Sequence, residues 1–156
     1  MLHGSGESLE AEPYLREAVG IYLRQLGDQH VEVAKASQMH GKALLALAQH
    51  RGSHDAYRLA HQICVVQLGE DDWRTADVGV GLGHSLNGLG RHEEAGPLLE
   101  RGYRVLVDVK GSSHPVVIHC MLGLEAHALA VGDEGQASLW RERIKRARNE
   151  IESNGS

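Results

Sequence analysis

The stretch Leu26-Gly27-Asp28-Gln29-His30 precedes a run of helical apolar spacing, and its opening pair returns as Leu68-Gly69. The next glycine in step is Gly111, within Gly111-Ser112-Ser113-His114-Pro115, so the interval is 42 residues twice in succession. Other columns keep the same step: Ala34, Ala76 and Ile118; Leu47, Leu89 and Val131; Ala18, Ala60, Gly102 and Ile144. At twice the step, Ala11-Glu12-Pro13-Tyr14-Leu15 aligns with Ala95-Gly96-Pro97-Leu98-Leu99, and His30 with His114. Agreement in so many columns at one period marks an internal repeat. Each unit is too small to bury its own apolar face and must stack on its neighbours.

Within a unit the apolar residues recur at helical spacing, as in Leu98, Leu99, Val105, Leu106 and Val109, and almost nothing alternates as a strand would. Glycine-containing breaks divide each unit into two helices. Pro115 suits the first turn of a helix, where its missing N–H is not needed. The pattern predicts seven helices: a lone second helix over about 7–26, then three pairs over 31–68, 73–109 and 115–151. The repeat domain then spans 7–151, between short tails at 1–6 and 152–156.

Composition narrows the function. The chain has 156 residues, 42% hydrophobic and 24% charged, as in a folded globular protein. A net charge of −5 and only 4% aromatic residues argue against nucleic-acid binding and against acidic membrane surfaces. No apolar run is long enough to span a bilayer, and residues 1–10 lack the apolar core of a secretory signal. Two cysteines, Cys64 and Cys120, are too few for a disulfide framework. A cytoplasmic protein is the expectation.

Ala11-Glu12-Pro13-Tyr14-Leu15-Arg16-Glu17-Ala18 and Gly90-Arg91-His92-Glu93-Glu94-Ala95 resemble the second-helix signature of 42-residue tetratricopeptide repeats. Repeats of this kind occur in kinesin light chain and in many bacterial multi-repeat proteins. Leu26 to His30 and Gly111 to Pro115 resemble the loop between such repeats, and the likeness covers roughly residues 6–148. HEAT-type repeats have a similar period, but the spacing from Gly90 to Ala95 favours the tetratricopeptide reading. The resemblance implies an all-α, right-handed α-α superhelix acting as a non-enzymatic protein-interaction module.

Three chemical motifs fail on context. Gly83-His84-Ser85-Leu86-Asn87 nearly spells a nucleophile elbow, but Asn87 replaces the final glycine and the repeat register puts Ser85 inside a helix. The glycines between Gly79 and Gly90 contain neither a dinucleotide fingerprint nor a phosphate loop ending in Gly-Lys. The 11 histidines lack the close paired spacing of zinc ligands, and several recur with the repeat, so neither metal nor cofactor is expected. The basic run Arg141, Arg143, Lys145, Arg146 and Arg148 is interspersed with Glu142 and Glu150, as on a solvated last helix.

In the superhelix that the resemblance implies, first helices line the concave surface. Its inward phases carry Lys35, Asp77 and His119; Gln38, Val80 and Leu122; Lys42, His84 and Ala126; and Leu45, Asn87 and Leu129. The expected partner-binding residues are therefore Lys35, Gln38, Lys42, Asp77, His84, Asn87 and His119, gripping a peptide or helix of a partner protein. Lys35 and Lys42 are seven apart and project from one helix face, where a carboxylate could be received. Related peptide-binding arrays hold the bound backbone with tandem asparagines; the corresponding places here are Gln38-Met39, Val80-Gly81 and Leu122-Gly123.

The opening helix is apolar on more than one side. Such a helix should be covered. Leu15, Val19, Tyr22, Leu23 and Leu26 are the expected contact of a homodimer, the alternative being that the chain is part of a longer array attached to a regulatory domain.

Overall fold

The computed structural model describes residues 2–155. Seven helices follow one another among them: α1 (Leu2–Leu26), α2 (Val31–Ala46), α3 (His50–Leu68), α4 (Trp73–Gly88), α5 (His92–Lys110), α6 (Pro115–Ala130) and α7 (Glu134–Asn154). The starts of α2, α4 and α6 are 42 residues apart, as are those of α3, α5 and α7. Each helix packs on the next, and α2, α4 and α6 also touch side by side. An all-α repeat array results, with α2, α4 and α6 as first helices and α1, α3, α5 and α7 as second helices.

Two ends differ from the sequence expectation. α1 begins at Leu2, not near residue 7, and α7 continues to Asn154, past 151. Pro97 is the sixth residue of α5, so Pro13 in the same register would start α1 at residue 8; Gly6 shares the column of Ala48, Gly90 and Gly132, yet α1 runs through it instead of breaking there.

Caps explain the regular breaks. His30, Asp72 and His114 occupy one column, and each accepts the backbone N–H two residues on, from Glu32, Arg74 and Val116, at 3.1, 2.9 and 3.2 Å. These recurring loop histidines satisfy a helix start. At the other break, Ala48, Gly90 and Gly132 share a left-handed conformation with φ of 56, 76 and 78°. Glycine adopts it freely, and Ala48 does so under strain.

Packing overrides local propensity most clearly in α4. Gly79, Gly81 and Gly83 should weaken a helix by about 1 kcal/mol each. Yet every residue from Val78 to Gly83 is buried. The reason lies on the neighbouring second helices. The Tyr57 ring of α3 fills the space where side chains at Gly41 of α2 and Gly81 of α4 would stand. One repeat later, Leu99 of α5 does the same against Gly83 of α4 and Gly123 of α6. A knob from each second helix is thus seated between two glycines, and the helices approach closely. α7 is the polar end of the stack, burying only Ala137, Ile144 and Ala147.

Candidate functional site

A groove of about 580 Å³ opens along the first helices, lined chiefly by residues of α2, α4 and α6. Its polar wall holds Gln38, Lys42, Asp77 and His119, and its apolar wall includes Met39, Leu45 and Val116. Tyr57 reaches the floor from α3, through the gap left by Gly41 and Gly81. Met39 is 59% exposed, a large apolar side chain held open to solvent at the rim.

Asp77 is the electrostatic centre. Its Oδ2 accepts from Gln38 Nε2 at 2.9 Å. Burial raises its carboxyl above the ordinary value, while the Gln38 bond and the neighbouring Lys42, Lys110 and His114 oppose the rise. Burial, and then the Asp77 charge, push the Tyr57 phenol upward as well, so the floor stays neutral. A half-buried carboxylate beside one exposed ammonium gives the groove a local dipole and little net charge.

The expected site residues divide accordingly. Gln38, Lys42, Asp77 and His119 meet in the groove. Lys35 does not line the groove: its ammonium is paired with Glu32 at 3.0 Å on the same helix, and Lys42 is the lysine among the lining residues. His84 and Asn87 hold the helices together. His84 Nε2 donates to the His119 carbonyl at 2.8 Å, and the two rings stack with centroids 4.0 Å apart. Asn87 Nδ2 donates to the Gly123 carbonyl at 3.2 Å, and its Oδ1 accepts from His92 Nδ1 at 3.0 Å. Burial lowers the His84 imidazole, and burial, His84 and Lys42 together lower that of His119. Both rings are neutral near pH 7.

Sequence reasoning missed Tyr57 as the floor, and Met39, Pro115 and Val116 as walls. Tyr57 shares a column with Leu15, Leu99 and Arg141, and the glycine columns 41/83 and 81/123 were the readable signal that something large must fill the gap.

Ser85, the near-elbow serine, is fully buried in the middle of α4. Its hydroxyl donates to the Gly81 carbonyl at 3.0 Å and lies 2.7 Å from the Ser53 hydroxyl, which itself bonds the Gly41 carbonyl at 3.0 Å. These serines tie α2, α3 and α4 together in the interior. An elbow needs an exposed hydroxyl on a strand-to-helix turn, and Ser85 has neither. Among the described residues, no helix is long and apolar enough to cross a membrane.

On the opening helix, Leu15, Val19 and Leu23 are half-buried, while Tyr22 and Leu26 are exposed. Among the other helices, α1 touches α2 alone.

No protein-family model matches the chain, and no curated protein does. Solved structures do match. BtubC (BKLC) from P. vanneervenii superposes with a TM-score of 0.75 at 20% identity, covering 94% of this chain and 59% of that one. A candidate kinesin light chain of Podosopora anserina with nearly identical TPR-like repeats matches with a TM-score of 0.67 at 19% identity, over 94% of this chain and 69% of that one. A second crystal structure of that protein gives 0.70 at 19% identity, over 95% and 70%. The fold is that of kinesin-light-chain-like tetratricopeptide arrays, and this chain spans 59% of the length of BtubC. At such identities the likeness concerns the fold.

Proposed function

We propose that the protein is a non-enzymatic interaction module, which takes a peptide or helix of a partner protein into the groove along α2, α4 and α6. The observation that carries this reading is the juxtaposition of the half-buried Asp77 carboxylate, the exposed Lys42 ammonium and the exposed Met39 over the Tyr57 floor. A few fixed polar groups within apolar walls set the orientation of a bound segment, and the apolar area supplies affinity. Gln38, Lys42, Asp77 and His119 would contact that segment; Lys35 sits at the margin, and His84 and Asn87 would act by positioning α6. The test is recovery of partners with the wild type and with Met39→Glu/Lys42→Glu. A partner lost with the double variant, at unchanged helicity, supports the groove. Equal recovery rejects it.

Self-association through α1 is the second reading. Leu9, Tyr14, Tyr22 and Leu26 are 65, 74, 36 and 41% exposed on that helix, which packs on α2 alone among the described helices. Leu15, Val19 and Leu23 would line the margin of that contact. Sedimentation at high micromolar concentration decides: a dimer dissociated by Tyr14→Glu/Tyr22→Glu supports it, and a monomer excludes it.

A further inference from the structure

Arg101 and Arg143 are 42 residues apart and hold the same place on α5 and α7. Arg101 finds its carboxylates within the chain: Nη2 lies 2.9 Å from Asp71 and 3.3 Å from Glu70, both in the loop before α4. In the loop before α6, the same two places are Ser112 and Ser113. Arg143 therefore has no counterpart of those carboxylates. Its guanidinium lies over the Trp140 ring, 4.8 Å from the centroid, and 5.9 Å from that of Tyr103, and those two rings meet edge to face at 4.8 Å.

These groups line a cleft of about 590 Å³ between α5 and α7, with Leu124 of α6 among its lining. Three arginines line it; Arg101 already holds Glu70 and Asp71, which leaves Arg104 and Arg143 against Glu100. Arg104 is exposed. From 141 to 150 the chain carries five cations and two carboxylates, although the whole chain is at −5. Over the whole of α7, five cations meet four carboxylates, so the excess of positive charge is local to the cleft, where it draws an acidic segment.

We propose that the α5–α7 cleft is a second docking surface, for a partner-protein segment that carries a carboxylate side chain next to an apolar one. The carboxylate takes the place at Arg143 that Glu70 and Asp71 hold at Arg101, with Arg104 as its second cation. A guanidinium held against aromatic rings offers its planar fork with little rotamer freedom left to lose. The adjacent apolar side chain covers Trp140, Leu98 and Leu124. The surface lies on second helices, apart from the groove of the first helices, and stands or falls independently of it.

The probe is an immobilised series of short peptides centred on Leu-Glu, with Leu-Gln and Leu-Lys counterparts, read with the full chain. Leu-Glu peptides should retain the protein about tenfold better than Leu-Gln ones. Arg104→Glu/Arg143→Glu should remove that preference and shift it toward Leu-Lys. Ser112→Glu/Ser113→Asp, which provides Arg143 with the carboxylates of the previous repeat, should also weaken Leu-Glu binding without touching the cleft. Arg51→Glu, at the start of α3 and outside both the cleft and the groove, should leave it unchanged. Equal retention of Leu-Glu and Leu-Gln overturns the proposal, as does retention that survives both the arginine variant and the loop variant or is abolished by Lys42→Glu alone. A concentration-dependent mass that falls in Arg104→Glu/Arg143→Glu would also overturn it, since a second copy would then occupy the cleft.

Discussion

Leu15, Tyr57, Leu99 and Arg141 share one column of the repeat, yet the central pair and the outer pair behave as different materials. Tyr57 is 4% exposed and Leu99 fully buried, each seated between two glycines of adjoining first helices. Leu15 is only half-buried, and the residue of α2 in the register of Gly81 is Met39. At the far end Arg141 faces Glu125, where Gly83 stands one repeat earlier, and the exposed arginine pairs with the half-buried carboxylate at 3.5 Å. Where the repeat supplies both a knob and its two glycines, the helices close on each other and form core. Where one member is replaced, the surface stays open to water or to another molecule. The same rule covers Arg101 with its loop carboxylates and Arg143 without them.

The strongest way to break this comparison is to empty the same column at two places. Leu99→Ala should cost about 3 kcal/mol of unfolding free energy in urea, since it opens a cavity between two glycines that cannot collapse. Leu15→Ala should cost about 1 kcal/mol, as a half-buried side chain loses less on truncation. Equal costs would remove the distinction between middle and end.

Filling the gaps is the complementary experiment. Gly81→Ala puts a Cβ into the Tyr57 ring and should destabilise by about 2 kcal/mol, the range for overpacking a tight core. Met39→Ala, in the same column at the open end, should change stability by less than about 0.5 kcal/mol. A smaller effect of opposite sign is expected at Ala48. Its left-handed strain of about 1–2 kcal/mol is relieved in Ala48→Gly, less about 0.4–1 kcal/mol for the added freedom of the unfolded chain. A gain of about 0.5 kcal/mol in thermal unfolding follows; a loss would contradict the repeat register.

Acid provides a finer test between the two halves of the groove. His84, His119 and the interior-facing His61 all have imidazoles lowered from the ordinary value of 6.5. The unfolded chain then binds more protons below pH 6.5 than the folded one, so stability is full above that pH and falls as pH drops through it. Asp77, raised, works the other way: its burial costs stability when ionised, and protonation on acidification relieves that cost. Melting temperature measured from pH 7.5 to 5 should fall, and the fall should be shallower in His84→Gln/His119→Gln. An unchanged slope would mean that the stacked pair is not held neutral.

Much of this was legible in the amino-acid order. The step of 42 fixed seven helices and their register, because loop glycines and cap residues recur with it. Helix ends were less legible: α1 runs back to Leu2 through Gly6, in the column where Ala48, Gly90 and Gly132 break the other units, so the glycine alone does not end the helix. Within the groove, inward phase located Gln38, Lys42, Asp77 and His119, because phase depends on helix geometry alone. It could not tell Lys35 from Lys42. That difference depends on Glu32, one turn away, capturing one ammonium. Nor could first-helix phase reveal Tyr57, which reaches the groove from a second helix through a gap made by two glycines.

The interaction claim is tested most directly by a photo-activated cross-linking residue at position 39, at the groove rim, and in parallel at position 66, where Val66 of α3 is 69% exposed outside the groove. The account predicts a discrete cross-linked product from position 39 that disappears with Lys42→Glu, and none from position 66. Products from both positions alike, or a product from 39 that is indifferent to Lys42→Glu, would contradict it.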